Sequence, residues 1–202
     1  MRWLGLFLLM CVVGEGLAGE IFLVAQYSPK PVYPKALHRA GVVGDVRVGM
    51  TVQADGSVSK VRIVQSDHPG LADAAKEAAQ QWRFKPWSVA AERPPELEII
   101  APMQFRLDDP LDAHQWLKEV KCREINRSFS HFAEHSWIDL TAFRYTRAYL
   151  TNGIFHHQWS TEERLALIAR LNRQVPYIAR QCLNYPASRF KRFLPEEIRK
   201  IL

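Results

Sequence analysis

Cysteine is scarce in this chain: three among 202 residues, and no two of them form a C-x-x-C pair. That spacing excludes a thioredoxin-like redox site. Neither a Gly-rich phosphate loop nor a G-x-S-x-G elbow occurs, so the usual marks of nucleotide binding and of serine hydrolysis are missing. Internal repeats, low-complexity tracts and long Pro-rich linkers are also lacking. A long uninterrupted apolar run is missing too. Trp3 to Val13 is apolar, but Gly14 and Gly16 weaken the run and Glu15 and Glu20 interrupt it, short of the roughly twenty residues a membrane span needs. With Arg2 ahead of it and Gly16-Leu17-Ala18 behind it, the segment reads as a secretory signal cleaved after Ala18. An uncleaved short anchor is the alternative. Met10 before Cys11 is too large for a lipoprotein signal. The mature chain is therefore expected to be exported.

Cleavage would leave Cys122 and Cys182. In an oxidising compartment these have one possible connectivity, and closing a loop of that length adds about 4 kcal/mol in the chain-entropy model. Two separately buried thiols are the other reading.

Composition shifts near Asp108-Asp109-Pro110. Residues 19–109 hold eleven Lys+Arg and eleven Asp+Glu, residues 110–202 fifteen and nine, with Arg2 and Glu15 completing the totals of 27 and 21. The whole net charge of +6 thus sits in the second half. The first half reads as strands. Asp45 to Gln53 alternates, with Val46, Val48, Met50 and Val52 on one face; Ala54-Asp55-Gly56-Ser57 is a hairpin turn; Val58 to Gln65 returns. After Gly70, Leu71, Ala75, Ala78 and Trp82 fall on one helical face, and Pro86 forbids continuation. Leu97 to Leu107 is a third strand; Pro102 within it demands an edge position or a bulge. A short helix, Lys35 to Ala40, should stop at Gly41. The second half reads as helices: one capped by Asp109-Pro110 and running through Ile125, one over 137–150 stopped by Asn152-Gly153, and one opened by a Ser160–Glu163 capping box and kinked or ended by Pro176. The fold class is α+β: a three-stranded antiparallel sheet with a packed helix, 19–109, followed by an all-α basic domain, 110–202.

Pro31-Val32-Tyr33-Pro34, Gly44-Asp45-Val46, the TVQADGSVSKVRIVQS hairpin, Leu71…Ala74-Ala75…Ala78, Trp82-Arg83-Phe84-Lys85-Pro86 and Met103-Gln104-Phe105-Arg106 stand in one order. In that order and spacing they resemble the C-terminal domain of TonB-family energy transducers, over about residues 29–107. The resemblance implies a protein-binding module of the periplasm that adds an extended segment of an envelope partner, such as a TonB-dependent outer-membrane receptor, to its last strand. Carried over by position, the contact residues would be Glu98, Ile100, Met103 and Gln104 on that strand, with Lys30, Pro31 and Val32 ahead of Tyr-Pro. Domains of this shape also pair edge to edge, so a homodimer is a second partner. The membrane-anchored transducer with an uncleaved signal is the alternative function. No cofactor is implied.

Two features of the second half carry other chemistry. His131-Phe132-Ala133-Glu134-His135 matches H-x-x-E-H; on one helix its histidines would share a face and hold zinc, with Glu196 or Glu197 as a third ligand. Exposed helical histidines are the plainer reading, as for His156-His157, and the chain is expected to be neither a metal protein nor an enzyme. The stretch SRFKRFLPEEIRKIL would lie on an anionic membrane surface or touch anionic envelope polymers; a terminal helix docking its apolar side on the bundle is the alternative. Nucleic acid is not expected as a partner of an exported protein.

Overall fold

The computed structural model describes residues 23–90, 93–108, 110–151 and 159–202. The expected signal, the Asn152-Gly153 stop and His156-His157 lie outside the described residues; the helix expected from the Asp109-Pro110 pair starts instead at Ala113, with Asp112 at its N-cap. The class is α+β. A three-stranded antiparallel sheet has the order β3-β2-β5, with β2 (Gly44–Gln53) between β3 (Val58–Ser66) and β5 (Glu96–Phe105). Val46, Val48, Met50 and Val52 of β2 are all buried, as the period-2 pattern requires of a central strand with one packed face. Over that face lies α2 (Pro69–Gln80), which buries Leu71, Ala74, Ala75, Ala78 and Ala79. Methyl side chains let the helix backbone approach the sheet closely. His68 caps it, its Nδ1 accepting from the Gly70 N–H at 3.0 Å, with Pro69 in the first turn where a missing N–H costs nothing.

The helix ends at Gln80, not at Trp82. Beyond it Arg83–Phe84 forms β4, which pairs with β1 (Ala25–Tyr27) in a small second sheet the sequence did not reveal. The Phe84 N–H donates to Gly56 O at 2.9 Å and the Trp87 N–H to Ala54 O at 2.9 Å. The aromatic ending after the helix is therefore tied to the tip of the β2–β3 hairpin.

The remaining helices are α1 (Lys35–Ala40), α3 (Ala113–Glu119), α4 (Cys122–His131), α5 (Thr141–Thr151), α6 (Thr161–Asn184) and α7 (Glu196–Ile201). Three expectations are corrected here. The helix expected through Ile125 is broken: Val120 and Lys121 are extended, because they pair with the returning chain, Phe190 N–H to Val120 O at 2.9 Å and Lys121 opposite Arg189. The helix expected from 137 starts at Thr141, after a 3-10 stretch over Glu134–Asp139. Pro176 does not end α6, a 24-residue helix that runs through it. Val175, Ile178 and Ala179 around it are buried, and that packing outweighs the single hydrogen bond a proline removes. The Ser160–Glu163 capping box is present in both directions, at 3.1 and 2.8 Å. Cys122 opens α4 and Cys182 lies within α6; the two are bonded, fully buried, with Cα atoms 4.8 Å apart.

Buried side chains form two clusters, one of β2, β5, α2 and Phe84, the other of the helices from α3 onward. The apolar side of the terminal stretch belongs to the second: Phe190, Leu194, Ile198 and Leu202 are buried in it. The clusters meet through α1. Arg39 makes a two-pronged ion pair with Asp139, at 2.8 and 2.6 Å, Lys35 adds 3.3 Å to the same carboxylate, and Asn172 Nδ2 donates to Arg39 O at 2.7 Å. Gly41 closes α1 with φ +73°, and a Cβ there would come within 2.4 Å of Ile168 Cδ1. One glycine thus ends the helix and lets α6 close in. Arg147 is fully buried near this junction, with Asn172 Oδ1 at 3.3 Å its one side-chain partner among the described residues; burial depresses its pKa to about 10.

Candidate functional site

Among the described residues β5 pairs with β2 alone, in a ladder running without a shift from Gly44↔Phe105 to Gln53↔Glu96. It is an edge strand, and the bulge allowed for Pro102 is not there. In an antiparallel ladder successive residues direct their backbone N–H and C=O alternately toward and away from the neighbour. Pro102, opposite Arg47, keeps the register unbroken because its missing N–H belongs on the outer side. Glu98, Ile100 and Gln104 share its parity and present their backbone groups outward. Their side chains, with those of Glu96 and Pro102, are exposed; those of Ala101, Met103 and Phe105 are buried.

The strand's side chains are sorted accordingly. Ile100 is 48% exposed on the open sheet face. Glu98 pairs with Arg62 of β3 at 3.2 Å, and Glu96 with Lys60 at 3.3 Å. These pairs cross the central strand where it is thin: a Cβ on Gly49 would lie 2.4 Å from Arg62 Nη1. Met103 is 6% exposed and belongs to the core, so what it offers outward is limited to the wall of a groove at the strand's end.

That groove, of about 340 Å³, is lined by Pro29, Lys30 and Pro31 on one side and Pro102, Met103 and Gln104 on the other, with Trp82 beneath. The structure therefore brings Lys30 and Pro31 beside Met103 and Gln104, although some seventy residues of sequence separate them. Trp82 fixes the first wall, its Nε1–H donating to Pro29 O at 3.1 Å. Tyr33 fixes the turn that follows: its hydroxyl donates to Val42 O and its ring packs edge-on against Phe105 and His38, each 5.3 Å away. Burial pushes the Tyr33 pKa up to about 12, so the hydroxyl stays a donor throughout the physiological range. Val32 is 83% exposed and does not line the groove. Arg106, also at the groove, is spent internally on Asp45 at 2.7 Å and Gly44 O at 2.9 Å.

Hydrogen bonds and ion pairs on Lys35, Arg39 and Asp108 tie 110–202 to the sheet half, and none of these residues lies on β5. The zinc reading of H-x-x-E-H is corrected by geometry: α4 ends at His131, Phe132 is extended and a 3-10 turn follows, so His131 and His135 share no helical face. Glu134 is paired with Arg180 at 2.6 Å. Among the described residues no three His, Cys, Asp or Glu side chains converge as a metal site. None of their helices is long and apolar enough to cross a membrane.

Fold and site define a small α+β domain whose sheet has two outer strands, β3 and β5, with the groove at the end of β5. Residues 29–107 match the family model described as the Gram-negative bacterial TonB protein C-terminal, and this part of the chain is a TonB C-terminal-like domain. Protein TonB of Xanthomonas campestris pv. campestris (strain B100) is 34% identical over 79 residues, 39% of this chain. The match spans 35% of that relative's length. Among solved structures, the TonB C-terminal domain of Pseudomonas aeruginosa is 23% identical and covers 43% of this chain and 88% of its own, with a TM-score of 0.37. That of Helicobacter pylori (residues 179–285) is 30% identical, covers 39% and 71%, and has a TM-score of 0.32.

Proposed function

We propose that the chain is a non-catalytic, periplasmic binding module that takes an extended segment of an envelope protein as an added strand along β5. A TonB-dependent outer-membrane receptor is the partner the family likeness suggests. The observation that carries this reading is the outer side of β5, which pairs with no other strand among the described residues. Main-chain hydrogen bonds from Glu98, Ile100 and Gln104 supply affinity, and the groove between Lys30-Pro31 and Met103-Gln104 selects a side chain of the incoming strand. Exposed edges of this kind invite pairing with any extended chain, so a second copy is the competing occupant. Residues 19–109 serve as the binding domain and 110–202 as a separate helical domain docked on α1 and held by the Cys122–Cys182 bond.

Photo-crosslinking in cells from Ile100 and Gln104, followed by mass spectrometry, tests the reading. Capture of an outer-membrane receptor segment, lost when the probe is moved to Lys76 on α2, is the expected result. Capture of this chain alone would reassign the edge to self-assembly, and no adduct from either position would reject strand addition.

A further inference from the structure

Five of the fifteen Lys and Arg residues of the second half, Lys121, Arg123, Arg189, Lys191 and Arg192, lie on two segments that run side by side. The extended break at Val120–Lys121 pairs with the chain returning from α6, with Cys122 N–H to Ser188 O and Arg123 N–H to Pro186 O, each at 2.9 Å. Lys121 thereby stands opposite Arg189, and Lys191 and Arg192 follow in the next turn. Arg189 is paired with Glu119, but among the described residues Lys121, Arg123, Lys191 and Arg192 have no acidic partner in an ion pair. Exposed apolar groups lie close by in the chain, at the end of α6 and just after it. Tyr185 is 56% exposed and stacks on Phe193 at 6.0 Å, and Leu183 is 41% exposed. The buried side of the terminal stretch is already used by the core, so it cannot insert as an amphipathic helix; what remains are the four bases, with Tyr185 and Leu183 exposed on the segment that leads into them.

We infer that this surface rests on an anionic phospholipid bilayer. The four bases meet the headgroup charge, and Leu183 and Tyr185 reach the boundary between headgroups and acyl chains, where a tyrosine ring is stable. A purely anionic polymer would match the charge but leave Leu183 in water. The placement suits the rest of the molecule. Ile168, which packs on Gly41, and Cys182, beside the patch, both lie on α6. Fourteen residues separate them, about 21 Å along the helix axis. A bilayer contact at that end of α6 leaves the sheet half projecting away from the surface.

Co-sedimentation of the full-length oxidised chain with phosphatidylglycerol/phosphatidylcholine vesicles, compared with pure phosphatidylcholine, tests this. Binding to the anionic vesicles only, weakening with salt, is expected. Neutralising Lys121, Arg123, Lys191 and Arg192 to Gln should cut partitioning by about fivefold per base. Lys60→Gln with Arg62→Gln, which removes charge from the sheet, should leave it within about twofold of the parent, since distant charges are screened. Leu183→Ser with Tyr185→Ser should weaken binding several-fold without changing its salt slope. The inference fails if anionic vesicles are not bound or the sheet variant loses as much as the patch variant. It also fails if soluble heparin binds more tightly than the vesicles and the Leu183/Tyr185 variant binds them unchanged.

Discussion

Gly56 shows how much of this fold rests on single backbone positions. It sits at φ +84° in the hairpin tip, and a Cβ would fall 2.0 Å from the carbonyl oxygen of Phe84. The Asp-Gly pair is legible in the sequence as a turn, and Asp55 Oδ1 does accept the Ser57 N–H at 2.8 Å. The clash is not legible, because Phe84 arrives from the far side of α2. Gly56→Ala should therefore cost about 2–4 kcal/mol, more than a turn glycine alone would; urea denaturation followed by circular dichroism checks the value. Met103 shows the opposite case. Its place in the motif marks it as a contact, yet the alternation of β5 turns it into the core.

Among the elements, β5 carries the argument. Pro102 removes an N–H on the outer side and so leaves a gap in the edge that any added strand must match. Pro102→Thr should change unfolding stability by less than about 1 kcal/mol, since no bond to β2 depends on it. The same substitution completes the edge and should raise the dimer fraction in sedimentation velocity. A large loss of stability would show that the Pro102 position faces β2 after all. The helices were legible where apolar spacing and caps agree, as in α1, α2 and the start of α6. They were misread at 120–121 and at 134–139, where the local pattern continues but pairing with a distant segment or a 3-10 turn takes over. At Pro176 the helix continues, because the core on both sides of it holds α6 together.

At the scale of the molecule, Asp139 joins the two halves. Hydrogen bonding to Arg39, with Lys35 adding to it, holds its pKa at about 2, below the ordinary 3.8. A depressed carboxylate stabilises the fold above its unfolded pKa and loses that contribution as pH falls toward its folded one. The pair is partly exposed, so about 1–2 kcal/mol is the expected share at neutral pH after solvent screening. Asp139→Asn should lower stability by that amount at pH 7, and its difference from the parent should vanish between pH 4 and 2 in a series of urea titrations. A pH-independent difference would place the effect in packing rather than charge. Arg147 lies at the same junction with Nε and Nη2 unpartnered among the described residues, a buried charge that costs stability.

The sequence by itself determined the α+β class, the central strand, the hairpin, the alanine face of α2 and the family likeness of 29–107, because each is written in spacing between near neighbours. It also put the excess charge in the second half. Tertiary structure decided the rest: which side of β5 stays open, that Lys30-Pro31 lines a groove with Met103-Gln104, that the helices dock on α1, and that residues 120–123 run beside 186–190. Those outcomes depend on contacts between residues far apart in the chain, and local periodicity holds no record of them.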